Sequence, residues 1–185
     1  TLKAFSDAKN IPMIGIDSLE ALAYSAIIAK KRESQYNAIN QEQNNYNNRD
    51  SKQIQNCKIL TMIDARYDNV YFAVYRMHNG NLLLYKNAQV ININDTVDYI
   101  DLEEPLYIVG DANPEKLEPL IITMEDSEKA EGKDTKEHEY ITNKLPTMAE
   151  AIGIATIEKY KNGTAIIENV SPMYLRKPQA ERILE

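Results

Sequence analysis

The chain has 185 residues, 43% of them apolar, and a formal net charge of −7. An apolar content of this size is enough for a packed core, which excludes a wholly disordered protein. A protein that neutralised many phosphate groups by itself would be more basic. The charge therefore argues against autonomous nucleic-acid binding and leaves open a site shared with a basic partner.

The single cysteine, Cys57, excludes an intrachain disulfide, as is typical of proteins from a reducing compartment. Because it begins an apolar strand pattern, we predict a buried, unreactive thiol rather than a nucleophile. The longest apolar stretch, residues 21–29, is too short to span a bilayer. We expect a cytoplasmic protein that does not contact a membrane.

Residues 1–34 are predicted to form the end of a helix, a strand and a second helix. The sequence begins inside the first helix, and we therefore interpret the chain as a fragment of a longer protein. Pro12 stops the first helix, and Pro12–Ile16 is predicted to be a short buried strand. Asp17 and Glu20 then have the spacing of a capping box for the second helix.

Residues 35–56 contain 12 Asn or Gln among 22 positions. Without an apolar period, this stretch cannot bury enough surface to offset the entropy lost on ordering. We predict a polar insertion, mobile or loosely helical, and take residues 57–185 as the remainder of a single α/β lobe with an extended C-terminal arm. A polar self-association tract is the alternative interpretation.

Three antiparallel strands are predicted to open this lobe, at Lys58–Ile63, Val70–Arg76 and Leu82–Ile93. A turn at residues 64–69 joins the first two, and Asn79-Gly80, a strong hairpin signal, joins the second and third.

Shorter elements follow this meander along the chain. The first are a short helix from Asn94 or Asp95, a strand at Leu106–Val109 and a short helix from Pro114. A brief strand at Leu120–Thr123 and a charged loop at Glu125–Glu139 come next. The chain then forms a helix at Met148–Lys161, capped by Thr147, and an extended C-terminal arm that contains Pro172. The predicted class is α/β, a mixed sheet with an antiparallel three-strand meander covered by helices.

The carboxylates that follow apolar strands are the candidates for acid–base or metal chemistry. Asp17, Asp64 and Asp111 each stand at such a strand end, where α/β proteins carry their sites. If the three met, they would suit a two-metal hydrolase of the ribonuclease-H type. Capping and turn formation explain the same residues, and we favour that reading. We predict no catalytic residue, cofactor or metal ligand.

Two basic side chains remain open in role. Arg66 follows the first strand of the meander and Arg176 lies in the C-terminal arm. Arginine suits either a contact with a partner or an ion pair within the protein, and a solvated charge is equally consistent with the sequence.

Three stretches, in the same order along the chain, resemble the TsaB (YeaZ) family. They are residues 11–22, the hairpin Ile63–Tyr71 with its Asp-Ala-Arg motif, and Ser171–Arg176 followed by Ala180-Glu181. The family-motif or interaction candidates that follow from the resemblance are Asp64, Arg66, Tyr71, Pro172, Tyr174, Leu175 and Arg176.

The resemblance implies a ribonuclease-H-like (ASKHA) lobe and a non-catalytic scaffold subunit of tRNA threonylcarbamoyladenosine modification. The implied partners are a TsaD-like catalytic subunit and a TsaE-like ATPase, with tRNA contacted only indirectly. The matched stretches belong to the family's C-terminal lobe. Because family partner contacts lie mainly on the N-terminal lobe, we expect them through the full-length parent.

Two other readings remain beside the scaffold. The first is a homodimer formed through an apolar face that the absent lobe would otherwise cover. The second is a metal-dependent ATPase, peptidase or ribonuclease-H-type hydrolase, which requires Asp17, Asp64 and Asp111 to converge.

Overall fold

The computed structural model describes residues 2–42, 56–100, 103–111, 114–132, 138–142, 145–165 and 170–176. Its helices are α1 (Leu2–Lys9), α2 (Ser18–Glu42), α3 (Pro114–Ala130) and α4 (Met148–Lys161), with a short 3-10 helix at Ile93–Tyr99. Its strands are β1 (Asn56–Asp64), β2 (Asn69–His78), β3 (Asn81–Asn92), β4 (Leu106–Gly110) and β5 (His138–Tyr140). Within these ranges, no helix combines the length and apolar character needed to cross a bilayer.

The five strands form one sheet in the order β3-β2-β1-β4-β5. β1, β2 and β3 pair antiparallel, whereas β4 pairs parallel to β1 and β5 parallel to β4. This arrangement confirms the predicted mixed α/β sheet and its meander. The Asn79-Gly80 hairpin is also confirmed, since both residues have positive φ, 49° and 80°, as a type I′ turn requires.

Alternating residues of β1 face two separate hydrophobic cores, one on each side of the sheet. Cys57 and Ile59 pack with α2 and α4 on one face. Leu60 and Met62 pack on the other face with α3 and the 3-10 helix. The period of two along a strand thus buries both sides of β1, as expected of the central strand in a sheet covered by helices.

The helix α2 begins at the cap that the sequence predicted. The backbone N–H groups of Leu19 and Glu20 donate to Asp17 Oδ1 at 2.8 and 3.3 Å. Only half of the predicted capping box forms, because the Glu20 carboxylate pairs with Lys159 of α4 at 2.7 Å. The predicted cap of α4 is confirmed, since Thr147 Oγ1 accepts the Glu150 N–H at 3.2 Å.

The predicted strand at Pro12–Ile16 is wrong. This segment is irregular and pairs with none of the described strands. A strand needs a neighbouring ladder, and proline at the first position cannot donate to one. The segment is instead half-buried beneath the C-terminal arm, where a Cβ on Gly15 would lie 3.0 Å from Val170 Cγ1.

The predicted strand at residues 120–123 and the predicted loop that begins at residue 125 are also corrected. Residues 120–123 and 125–130 belong to α3, not to a strand and a loop. Leu117 and Ile121, one helical turn apart, are fully buried and anchor the first half of α3. The charged second half has no buried side chain and continues the helix from this anchor, with Glu125 contacting His138 of β5 at 2.7 Å. In the predicted polar insertion, residues 35–42 are the end of α2, which runs to Glu42, and residues 43–55 lie outside the described residues.

At Gly110 the backbone of β4 lies very close to the backbone of β1. The φ of Gly110 is +140°, and a Cβ there would lie 1.7 Å from the carbonyl oxygen of Met62 on β1. We predict that Gly110→Ala lowers the free energy of unfolding by about 3 kcal/mol or more, because the backbone itself must move. Urea denaturation followed by circular dichroism measures this change.

Gly153 provides the matched control for this substitution. It lies inside α4 and a Cβ there meets nothing within 4 Å. Gly153→Ala should therefore stabilise the protein by about 0.5–1 kcal/mol, through helix propensity alone. Equal effects of the two substitutions would contradict the close approach of β1 and β4.

Cys57 is buried, as predicted, and burial raises the pKa of its thiol to about 12. The thiol of the unfolded chain ionises near its ordinary pKa. The contribution of the buried, neutral thiol to the free energy of unfolding should therefore be complete below about pH 9 and be lost between about pH 9 and pH 12. We predict that wild type loses stability more steeply than Cys57→Ala across this window. Urea denaturation at several pH values measures it, and parallel curves would be the contrary result.

Candidate functional site

The candidate site lies at the turn that joins β1 to β2, from Asp64, the last residue of β1, to Asp68, and we call these residues the β1–β2 turn. The turn begins at the carboxyl end of β1, next to the carboxyl end of the parallel strand β4. An open cleft of about 390 Å³ runs beside it. The cleft is lined by Asp64, Arg66, Tyr67, Asp68, Asn69, Val70, Ile93, Asp111 and Lys116.

The β1–β2 turn has an unusual backbone. Arg66, Tyr67 and Asp68 have φ values of 64°, 54° and 57°, three successive left-handed residues without a glycine. This region crowds the Cβ atom of an L-residue, and it costs on the order of 1–2 kcal/mol per residue. At the β2–β3 turn, by contrast, the same requirement is met by Asn79 and Gly80, which tolerate it.

Local hydrogen bonds hold the β1–β2 turn in this conformation. Ala65 N–H donates to the Asn69 carbonyl at 2.9 Å, and Asn69 N–H donates to the Arg66 carbonyl at 3.1 Å. The Asn69 amide also donates to the Tyr67 carbonyl at 3.0 Å. Asp64 Oδ1 accepts the Arg66 N–H at 2.8 Å. A network of this density can maintain a strained backbone.

Three distant elements also fix the turn from outside. Asp111, directly after β4, accepts the Asp64 N–H at 2.8 Å. Lys116 in the first turn of α3 forms an ion pair with Asp68. Arg176 in the C-terminal arm donates from Nη1 to the Ala65 carbonyl.

Of the three predicted strand-end carboxylates, the structure brings two together. Asp64 and Asp111 meet at the cleft, and each oxygen described above accepts a backbone N–H group. Asp17 is instead the cap of α2. Across the described ranges, no cluster of three or more His, Cys, Asp or Glu side chains is placed to hold a metal ion.

The other candidates from the sequence lie around this turn or further away. Tyr71 is half-buried on β2 and packs against the core beneath α2 and α4. Pro172 and Tyr174 are exposed in the C-terminal arm, and Leu175 is half-buried there. The structure therefore brings Asp64, Arg66 and Arg176 to one turn and leaves the exposed arm residues outside it.

Sequence reasoning missed two residues that hold the turn. Asn69 could have been found, because asparagine side chains commonly hydrogen-bond the backbone of turns. Lys116 carried no such signal, because its partner Asp68 is 48 residues away in the chain.

Comparison with solved structures shows the fold. An uncharacterised protein with similarity to the peptidase YeaZ from Pseudomonas aeruginosa aligns with a TM-score of 0.55 at 18% identity. YeaZ from Pseudomonas aeruginosa aligns with a TM-score of 0.51 at 16% identity. Each alignment covers 94% of this chain and 63% of the other, so the chain spans less than two thirds of their length. The fold is therefore YeaZ-like.

Searches of protein sequences added nothing to this likeness. No protein-family model matches the chain, and no curated protein shows significant similarity to it.

We predict that Arg176→Ala frees the C-terminal arm from the β1–β2 turn. Loss of a hydrogen bond from a charged donor should cost about 1–2 kcal/mol of stability and expose the arm to proteolysis. Limited proteolysis and hydrogen exchange of residues 170–176 measure the effect. Tyr174→Ala is the control, because that side chain is 85% exposed and its loss should leave the arm in place.

Proposed function

We propose that the protein is a non-catalytic scaffold subunit that works with a TsaD-like catalytic subunit in tRNA threonylcarbamoyladenosine modification. In this proposal a TsaE-like ATPase joins the same assembly in the cytoplasm, and tRNA is contacted only through the partners. Two findings support it: the YeaZ-like fold and the order of the three sequence stretches that resemble the TsaB family.

The contact between Arg176 and Ala65 is the observation that carries the proposal most directly. It joins two of these stretches across 111 residues of sequence. The Asp-Ala-Arg hairpin and the terminal signature are thus two halves of one structural unit. Their polar groups satisfy backbone donors and acceptors, which is what a surface that must keep its shape requires.

A metal-dependent hydrolase is the second candidate. The convergence of three carboxylates that the sequence suggested does not occur, because Asp17 caps α2, so this candidate would have to work with two. One observation favours it. Asp64 and Asp111 lie side by side at the ends of adjacent parallel strands, next to the cleft. Such positions carry active sites in many α/β proteins. This candidate predicts magnesium-dependent turnover that is lost in Asp64→Asn and Asp111→Asn, whereas the scaffold proposal predicts no turnover by the protein alone.

The test of the scaffold proposal uses the protein expressed from its complete gene and the TsaD-like protein of the same genome. We expect a complex with a dissociation constant at or below the micromolar range, measured by isothermal titration calorimetry. Size-exclusion chromatography gives its stoichiometry, and nucleotide hydrolysis is assayed on each protein separately. Absence of binding at micromolar concentrations, or magnesium-dependent hydrolysis by this protein alone, would refute the proposal.

A further inference from the structure

We propose that the β1–β2 turn is a preformed contact for a protein partner, with Tyr67 and Arg66 as the contacting side chains. The partner surface that fits them has an apolar pocket for the tyrosine ring and carbonyl or hydroxyl oxygens at its rim that accept hydrogen bonds from the guanidinium group. This inference rests on the proposed function and adds to it a contact on this lobe.

The first support is the exposure of two side chains on a turn whose other groups are engaged. Tyr67 is 81% exposed and Arg66 is exposed beside it. Asp68 pairs with Lys116, and Asn69 is bound to the turn backbone. Among the described residues, no hydrogen bond or ion pair engages the side chain of either Arg66 or Tyr67.

The second support is the backbone that presents these side chains. A turn with left-handed φ at three positions would form at lower cost with glycine, which has no Cβ to crowd. The chain instead keeps a bulky aromatic ring at the middle position, where φ is 54°. Strain of this kind persists where the surrounding structure imposes it, and it is concentrated at functional positions.

The rigidity of the turn suits binding. Bonds from β4, α3 and the C-terminal arm fix its backbone before any partner arrives. A preformed loop loses little conformational entropy on association, so more of the contact energy appears as affinity. Tyrosine and arginine are also the residue types most enriched among the side chains that dominate protein–protein binding.

The charges around the turn favour a protein over RNA as the occupant. Asp64, Asp68 and Asp111 line the cleft with three carboxylates, against the two cations Arg66 and Lys116. A phosphate backbone would meet net negative charge there, and Lys116 is already paired with Asp68. A partner carboxylate would meet the same net negative charge, so the groups that fit Arg66 are neutral acceptors such as carbonyl or hydroxyl oxygens.

The decisive variant is Tyr67→Gly, made in the protein expressed from its complete gene. Glycine relieves the strain at this position, so the midpoint of thermal unfolding should stay the same or rise. Binding to the TsaD-like protein should weaken by about 30-fold or more, as expected for the loss of a dominant contact. Arg66→Ala should weaken binding as well, through the loss of its hydrogen bonds to the partner.

Tyr160→Ala is the matched control, because that tyrosine is 67% exposed on α4 and stands apart from the turn. It should leave the affinity unchanged. If wild type binds and Tyr67→Gly binds equally well, the inference is overturned while the scaffold proposal stands. If wild type does not bind at all, the scaffold proposal is wrong, and the inference that rests on it is wrong as well. If Tyr67→Gly instead reduces binding of tRNA alone, the occupant is RNA and the inference is wrong.

Discussion

The close approach of β1 and β4 at Met62 and Gly110 is the constraint on which the candidate site depends. Only a residue without a Cβ fits there, since that atom would lie 1.7 Å from the Met62 carbonyl oxygen. The approach aligns the two strand ends, so Asp111 can accept the Asp64 N–H at 2.8 Å. The first residue of the turn is thereby anchored to the neighbouring strand, and the left-handed residues follow from that fixed point.

Local patterns in the sequence predicted the parts of the fold whose causes are local. The Asn79-Gly80 hairpin, the Asp17 and Thr147 caps and the burial of Cys57 each depend on a few adjacent residues, and all are present. The errors arose where distant packing decides. α3 continues as helix through its charged second half from a first half that is anchored in the core, and its Glu125 contacts His138 of β5, which no window of local composition reveals.

The candidate site shows the same division more sharply. The sequence singled out Asp64, Arg66 and Asp111, because strand ends and turns can be recognised from their residue types. It could not show that Lys116 and Arg176 contact the same turn, since their partners Asp68 and Ala65 are 48 and 111 residues away in the chain. Nor could it show the left-handed run, because Arg66 and Tyr67, unlike Asp68, are not residues that such a backbone normally selects.

The use made of the carboxylates connects the fold with the proposed role. Asp17 caps a helix, Asp111 anchors the first residue of the turn, and Asp64 accepts an N–H within it. Each of these bonds stabilises the backbone, and each fixes the carboxylate oxygen that makes it. An acid–base catalyst needs oxygens directed at a substrate, whereas a binding surface needs a backbone that does not move. Under the scaffold proposal, the bonds at this strand end serve the second requirement, and the side chains proposed for recognition are Tyr67 and Arg66.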